Sequence, residues 1–187
     1  MKVRNGFVSN SSSSSFILKF DKDRSLEDQV KEMLDRVVST SDLEEDIQYC
    51  ITEKDICEED YENYEQYHQA LLDTYKEHVL KDLVEDLEYP MDKESIYEDL
   101  ETIKHVSKIT FDNINLIKNN YLLHYNWNTS QYYFDENLAR RIVNDNEHTY
   151  HTICISDHWN EDRNYDGKLE FWLEYDNKYV VKYESNH

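Results

Sequence analysis

Phe16-Ile17-Leu18-Lys19-Phe20 is the stretch on which the fold turns. Four of its five residues are apolar, two are aromatic and one is β-branched, so it reads as a short strand. No other strand-like segment lies near it in sequence. The remaining strand-like segments all follow residue 105. If the Phe16–Phe20 strand joins that C-terminal set in a sheet, the two ends of the chain belong to one domain.

Between those ends the apolar residues recur at helical spacing. Ser25-Leu26-Glu27-Asp28 resembles a capping box, and Leu26, Val30, Met33, Leu34, Val37 and Val38 follow at that spacing, which predicts a helix over 26–38. Ser39-Thr40-Ser41 breaks it. Ser41 with Glu44 then starts a short helix lined by Leu43, Ile47, Cys50 and Ile51. Thr52 or Asp60 can cap a longer helix over 58–88. Its period runs through Tyr64, Tyr67, His68, Leu71, Leu72, Tyr75, Val79, Leu83 and Leu87, up to Pro90. Asp92 caps the next helix, with Ile96, Leu100 and Ile103 inward. Tyr61, Tyr64 and Tyr67 form a ladder at threefold spacing, which reads as a packed face.

After residue 105 the pattern changes. The segments 108–111, 121–127, 149–156, 169–175 and 179–184 are β-branched and aromatic with partial alternation, and read as strands. Asp176-Asn177 suits a tight turn between the last two. One helix intervenes, capped by Asp135, with Leu138, Ile142 and Val143 inward. The expected class is α+β: an N-terminal strand, an acidic helical segment over about 25–105, then a mostly antiparallel sheet with one helix over about 106–187. Residues 1–15 form a Ser-rich leader, and 16–187 a single domain.

Composition sets the outer bounds. The chain has 187 residues, 39% hydrophobic and 13% aromatic, with 16 tyrosines, which is too apolar for global disorder. No apolar run approaches the ~20 residues that cross a bilayer, so no membrane partner is expected. The three cysteines, Cys50, Cys57 and Cys154, are odd in number and form no Cys-x-x-Cys pair, which fits a reducing compartment. Only 2 Gly, 1 Pro and 2 Ala occur, against an abundance of Asn, Tyr, Ile and Lys. That bias matches AT-rich codons, so part of the composition records a genome rather than a function.

The charge is local. The formal net charge is -21. Residues 1–20 carry three bases and no acid, residues 21–101 carry 28 acids and 8 bases, and residues 102–187 carry 13 acids and 9 bases. The acidity therefore belongs to the helical segment. Glu62, Glu65, Asp73, Glu77, Asp82 and Glu85 fall on the polar side of its longest helix. Such a field repels phosphates, so no direct nucleic-acid partner is expected, and it attracts basic surfaces. The plainer reading is a solvated face that keeps the protein soluble; the sharper one is a mimic offering carboxylates where a partner meets phosphates.

The first residues are worded unlike the rest. Gly6-Phe7-Val8-Ser9-Asn10 leads into Ser11–Ser15 and Phe16. This leader resembles the N-terminal leader of uncharacterised proteins of tailed phages and related mobile elements. The resemblance covers about a tenth of the chain and implies a viral origin rather than a reaction. The serines fit a flexible linker, phosphorylation sites, or an extended segment that allows close backbone approach. Read as a docking tag, the leader offers Arg4, Phe7, Val8, Ser11, Ser15 and Phe16: a basic start, two apolar anchors and a polar spacer.

Motifs for chemistry are few. Asp162-Arg163-Asn164-Tyr165-Asp166-Gly167 matches the opening of a calcium loop, with Asp162, Asn164 and Asp166 as oxygen ligands. The twelfth position, where a bidentate Glu belongs, is Leu173, so a polar loop is the competing reading. No cofactor is expected otherwise, and calcium or another divalent ion only there. His148 and His151 stand three apart at a strand entry and should diverge. Asp157-His158 slightly resembles the start of an HNH nuclease site. That site needs a later Asn and His on a following helix, and the only later histidine is His187, so the match fails. Cys154, between Ile153 and Ile155, reads as a packed thiol. With Gly6 and Gly167 the only glycines, P-loop and dinucleotide fingerprints are absent. The leading expectation is a phage-encoded acidic accessory protein, not an enzyme, that binds a basic surface of a host or viral protein in the cytoplasm of an infected bacterium. The alternatives are a virion or phage-compartment component with the leader as tag, and a metal-dependent enzyme.

Overall fold

The computed structural model describes residues 13–37, 56–156, 173 and 178–185. Strand β1 spans Ser13–Asp21 and pairs antiparallel on both sides. On one side it meets β4, His148–Ser156, in a register running from Ser13 opposite Ser156 to Asp21 opposite His148. On the other it meets β5, Val180–Ser185, with Phe16 opposite Tyr183 and a shift of register between Ile17 and Leu18. The order β4-β1-β5 makes the first strand the central one.

That position explains why Phe16–Phe20 is apolar almost throughout. Alternate side chains leave opposite faces of a strand, and here both faces are covered. Phe16, Leu18 and Phe20 enter a core with Val30, Met33, Leu34, Leu71, Val79, Leu83 and Leu87. Ile17 enters a second core with Ile96, Leu100, Leu138, Ile142 and Tyr150. The sheet is thus a middle layer. Helices α1 (Leu26–Val37) and α2 (Tyr64–Asp86) lie on one face, and α3 (Lys93–Ile103) and α4 (Glu136–Asn144) on the other. Phe16, Ile17, Leu18 and Phe20 are each at most 1% exposed; burying each contributes about 1.5–3 kcal/mol.

The helix starts follow their caps. Ser25 Oγ accepts from Asp28 N at 3.3 Å, opening α1. Buried Gln29 then clamps the preceding turn, accepting from Asp21 N at 2.9 Å and donating to Asp21 O at 2.8 Å. Asn63 Oδ1 accepts from Gln66 N at 3.0 Å, so α2 begins at Tyr64 rather than at 58, and Glu58–Asp60 is a separate 3-10 turn. Asp92 caps α3 through Glu94 N and Ser95 N, and Asp135 caps α4 through Leu138 N. In the tyrosine ladder, Tyr67 touches both Tyr61 and Tyr64 while Tyr64 remains 52% exposed.

The expected arrangement of one acidic helical segment followed by one sheet with one helix is corrected. The fold is α+β with an N-terminal strand, but the described residues form two sheets and four separate helices. The second sheet is a hairpin, β2 (Leu123–Asn126) and β3 (Gln131–Phe134). The reason is pairing capacity. Both edges of β1 are taken, and the far side of β4 receives Met91 N–H at Tyr150 O, 2.6 Å. Residues 123–134 therefore pair with each other, over a third core of Ile109, Ile117, Leu123 and Tyr132. Of the strand expected over 108–111, Ile109 alone bridges, to Tyr132. Residues 120–122 form a 3-10 turn before β2. In 169–175 only Leu173 is described, and it is helical and buried. The expected helix over 41–51 and the turn at Asp176-Asn177 lie outside the described residues.

Two buried polar groups fix the hairpin to the main body. Asp99, 1% exposed, accepts from Lys118 N at 2.8 Å, Asn119 N at 2.9 Å and Asn119 Nδ2 at 2.7 Å. Lys182 Nζ, on β5, donates to Tyr121 O at 2.6 Å and Leu123 O at 3.3 Å. An ammonium is seldom this buried without such partners.

Candidate functional site

The acidic helical layer is the most extensive candidate surface. Glu65, Asp73, Glu77 and Glu85 are exposed on α2, and Glu62 is exposed just before it. Asp82 is half-buried and lies 3.8 Å from His78 Nε2, one turn away. At about 100° per residue, Asp73 and Glu77 share a side of α2, while Asp82 and Glu85 sit further round. The acids therefore wrap the outside of the helix rather than forming one stripe. Glu62, Glu65, Glu77 and Glu85 have no cation within salt-bridge distance among the described residues, and Asp73 accepts from Gln69 Nε2 at 2.9 Å.

Two acids of α1 are spent differently. Asp35 meets Lys76 Nζ of α2 at 3.1 Å, which crosslinks the two helices. Glu32 accepts from Lys178 Nζ at 2.7 Å and Arg24 Nη2 at 3.0 Å. Hydrogen bonds from Lys178, Arg24 and Tyr179 bring its carboxyl down to about 2. On α2, Glu65, Asp73, Glu77 and Glu85 face outward and meet no lysine or arginine among the described residues.

A polar cluster sits where α4 turns into β4. Asp145 ends α4, and its carboxylate accepts from Glu147 N at 2.9 Å and His148 N at 3.1 Å. Tyr150 OH donates to Oδ2 at 2.7 Å, and His148 Nδ1 lies 3.0 Å from the same oxygen. Burial works to raise the Asp145 carboxyl, but the bonds from Tyr150, the Glu147 N–H and His148 outweigh it and hold the group well below its usual range. Burial and then Asp145 push Tyr150 up to about 12. Lys93 Nζ donates to the Asp145 backbone oxygen. An open groove of about 440 Å³ runs beside the cluster, lined by Met91, Lys93, Ile142, His148 and Tyr150 among others. A carboxylate that orients an imidazole is half of an acid–base device. The same bonds also close the α4–β4 turn, and no nucleophile hydrogen-bonds to His148 among the described residues.

His151 goes elsewhere. It is buried, with Nδ1 2.6 Å from Leu87 O and Nε2 3.0 Å from Thr149 Oγ1. Burial lowers its pKa, against the pull of the Leu87 carbonyl. His148 and His151 therefore have separate partners. Cys154 is exposed, with Ser15 Oγ 3.9 Å from its sulfur, and Cys57 is a free exposed thiol.

Of the leader residues, Ser15 is half-buried inside β1 and Phe16 is a core residue with no exposure. Arg4, Phe7, Val8 and Ser11 lie outside the described residues, as do Asp162, Asn164 and Asp166 of the calcium-like loop. Among the described residues no three His, Cys, Asp or Glu side chains gather to hold a metal, and no helix is long and apolar enough to cross a membrane. Sequence reasoning passed over Asp145, Tyr150, Asp99 and Lys182. Asp145-x-x-His148 was visible as a spacing, but Asp99 and Lys182 acquire their partners only through tertiary contacts. No protein-family model matches the chain, and no curated protein or solved structure matches it.

Proposed function

We propose that this chain is an acidic binding protein whose outer helical layer engages a basic surface of a host or viral protein. The observation that carries the reading is the set Glu62, Glu65, Asp73, Glu77 and Glu85, which lie outside the core and pair with no lysine or arginine among the described residues. Charges that fold stability does not use are available to a partner. A net charge of -21 steers basic surfaces toward the layer and discourages phosphates. In this reading the protein is a viral accessory factor acting in the cytoplasm of an infected bacterium, an inhibitor or a nucleic-acid mimic.

The test is affinity purification from infected cells at low and high salt, beside a variant carrying Glu62→Gln, Glu65→Gln, Asp73→Asn, Glu77→Gln and Glu85→Gln. A partner that the parent retains at low salt, and that high salt and the variant both release, supports the proposal. Failure to recover any salt-sensitive partner sinks it, as does equal recovery on the variant. The docking-tag reading concerns residues before Ser13, because Ser13–Phe16 are strand residues. Its test is deletion of residues 1–12, leaving β1 whole, with incorporation into particles as the readout; unchanged incorporation removes it.

A further inference from the structure

The β2–β3 hairpin is chemically unlike the rest of the molecule. From Asn119 to Phe134 there is no Asp, Glu, Lys or Arg, in a chain where those residues make up 33%. The same segment carries the most exposed aromatic ring of the described residues, Trp127. Trp127 is 84% exposed, and Phe111, which packs against the hairpin, 65%. The rings form a continuous strip. Phe111 meets Tyr132 at 5.3 Å and Tyr125 at 5.4 Å; Tyr125 meets its cross-strand partner Tyr132 at 4.8 Å and Trp127 at 4.7 Å. The strip is the open end of the third core. Its inner members are buried and its outer members face solvent.

The strip is also held in place. Asn126 Oδ1 accepts from Asn128 N at 3.0 Å and Thr129 N at 3.2 Å, and Ser130 adopts a φ of 51°, so the turn carrying Trp127 is fixed by its own residues. Trp127 stands perpendicular to Tyr125. Around the rings are uncharged polar groups. The Asn128 and Gln131 carboxamides make no hydrogen bond among the described residues, and Tyr133 OH lies 3.4 Å from Thr129 Oγ1.

We propose that this strip is a binding platform for a neutral oligosaccharide built of hexopyranose units. The C–H face of a pyranose is weakly positive and meets the negative face of an aromatic ring, while its hydroxyls suit carboxamides at the rim. The absence of charge selects among occupants. A stacked nucleic-acid strand would bring phosphates to a molecule of net charge -21. A second copy would bring the same charge again, and a basic protein finds its complement on α2. A neutral sugar meets none of these penalties. The site is separate from the acidic layer; excluding a basic occupant rests on the reading of α2, but sugar binding is measured without it.

The experiment titrates the full chain with cellohexaose, maltohexaose, chitohexaose and mannohexaose, followed by calorimetry, with an oligogalacturonate as the charged control. At least one neutral hexamer binds saturably below about 1 mM. Binding weakens by about tenfold or more in Trp127→Ala and in Phe111→Ala, the scale of one lost stacking partner. Trp127→Phe retains part of it, and added salt leaves it unchanged. Trp127 is exposed enough that its truncation leaves thermal melting unaltered, so W127A alone keeps the test valid if F111A misfolds. The proposal is overturned if no neutral hexamer binds, if W127A binds as the parent does, or if only the charged control binds. Self-association that W127A abolishes, in the absence of sugar binding, overturns it as well.

Discussion

Asp99→Ala tests the account of how the hairpin is anchored. The carboxylate is 1% exposed and takes three N–H donors, the backbone of Lys118 and Asn119 and the Asn119 carboxamide. The carboxamide keeps a second partner, Ser95 Oγ at 3.1 Å, so truncation orphans two backbone donors. Each part-buried donor left without an acceptor costs about 1–3 kcal/mol. Lys118 is exposed, and water can reach part of the gap. The lower half of the summed range applies, about 2–4 kcal/mol. At about 2–4 °C per kcal/mol for a domain of this size, Tm falls by about 4–16 °C. Asp99→Asn keeps the shape and one acceptor oxygen but turns an NH2 toward the donors, and falls between parent and alanine. Urea melts monitored by circular dichroism give the magnitude, and native-state hydrogen exchange gives the place. Amides of residues 117–134 lose protection first, while those of β1 follow only the global loss. A cost below about 0.5 kcal/mol, or uniform loss across both sheets, would refute the reasoning.

Three further outcomes follow from the same structure. Burial lowers the His151 pKa, so the unfolded chain takes up that proton at a higher pH than the folded one. The stability this group confers is complete above the ordinary histidine value and is lost as pH falls through it, with a slope of at most about 1.4 kcal/mol per pH unit. Urea midpoints between pH 7 and 5 should therefore fall more steeply in the parent than in His151→Gln, and parallel slopes would show that His151 does not contribute. Phe16→Ala removes a fully buried ring from the central strand and costs about 3–5 kcal/mol in a urea melt, while Trp127→Ala, at an exposed site, changes stability by less than about 0.5 kcal/mol. Raising sodium chloride at neutral pH moves the urea midpoint upward, because screening relieves the mutual repulsion of the acidic helices; an unchanged midpoint would mean that the carboxylates are already neutralised within the fold.

What could be read from the chain was what local chemistry decides. Ser25, Asp92 and Asp135 announced their helices, because a capping side chain acts within three residues of itself. The start of α2 was misplaced because Thr52, Asp60 and Asn63 all offer caps, and only the backbone at Asn63 shows which is used. Strand character at 121–127 and 149–156 was visible, yet not that the two segments belong to different sheets. Alternation reports a face but not a partner, and partners are allotted by competition for the two edges of β1. The candidate surfaces divided in the same way. The acidity of α2 is a composition and could be counted. The aromatic strip needed Phe111 to fold back against Tyr132, a contact that no spacing encodes.

The place of β1 has a consequence for how the protein is made. Among the described residues, β1 is the middle strand of its sheet, and both neighbours are encoded beyond residue 147. Through most of synthesis its apolar residues have no edge to bond and no sheet to complete. Helices α1 and α2 can form meanwhile from local contacts, but their shared core lacks the floor that Phe16, Leu18 and Phe20 supply. Closure of the sheet must therefore wait for the last strand and is late and all at once. A nascent chain arrested before residue 180 would hold β1 with one side open, a sticky edge exposed for as long as translation pauses.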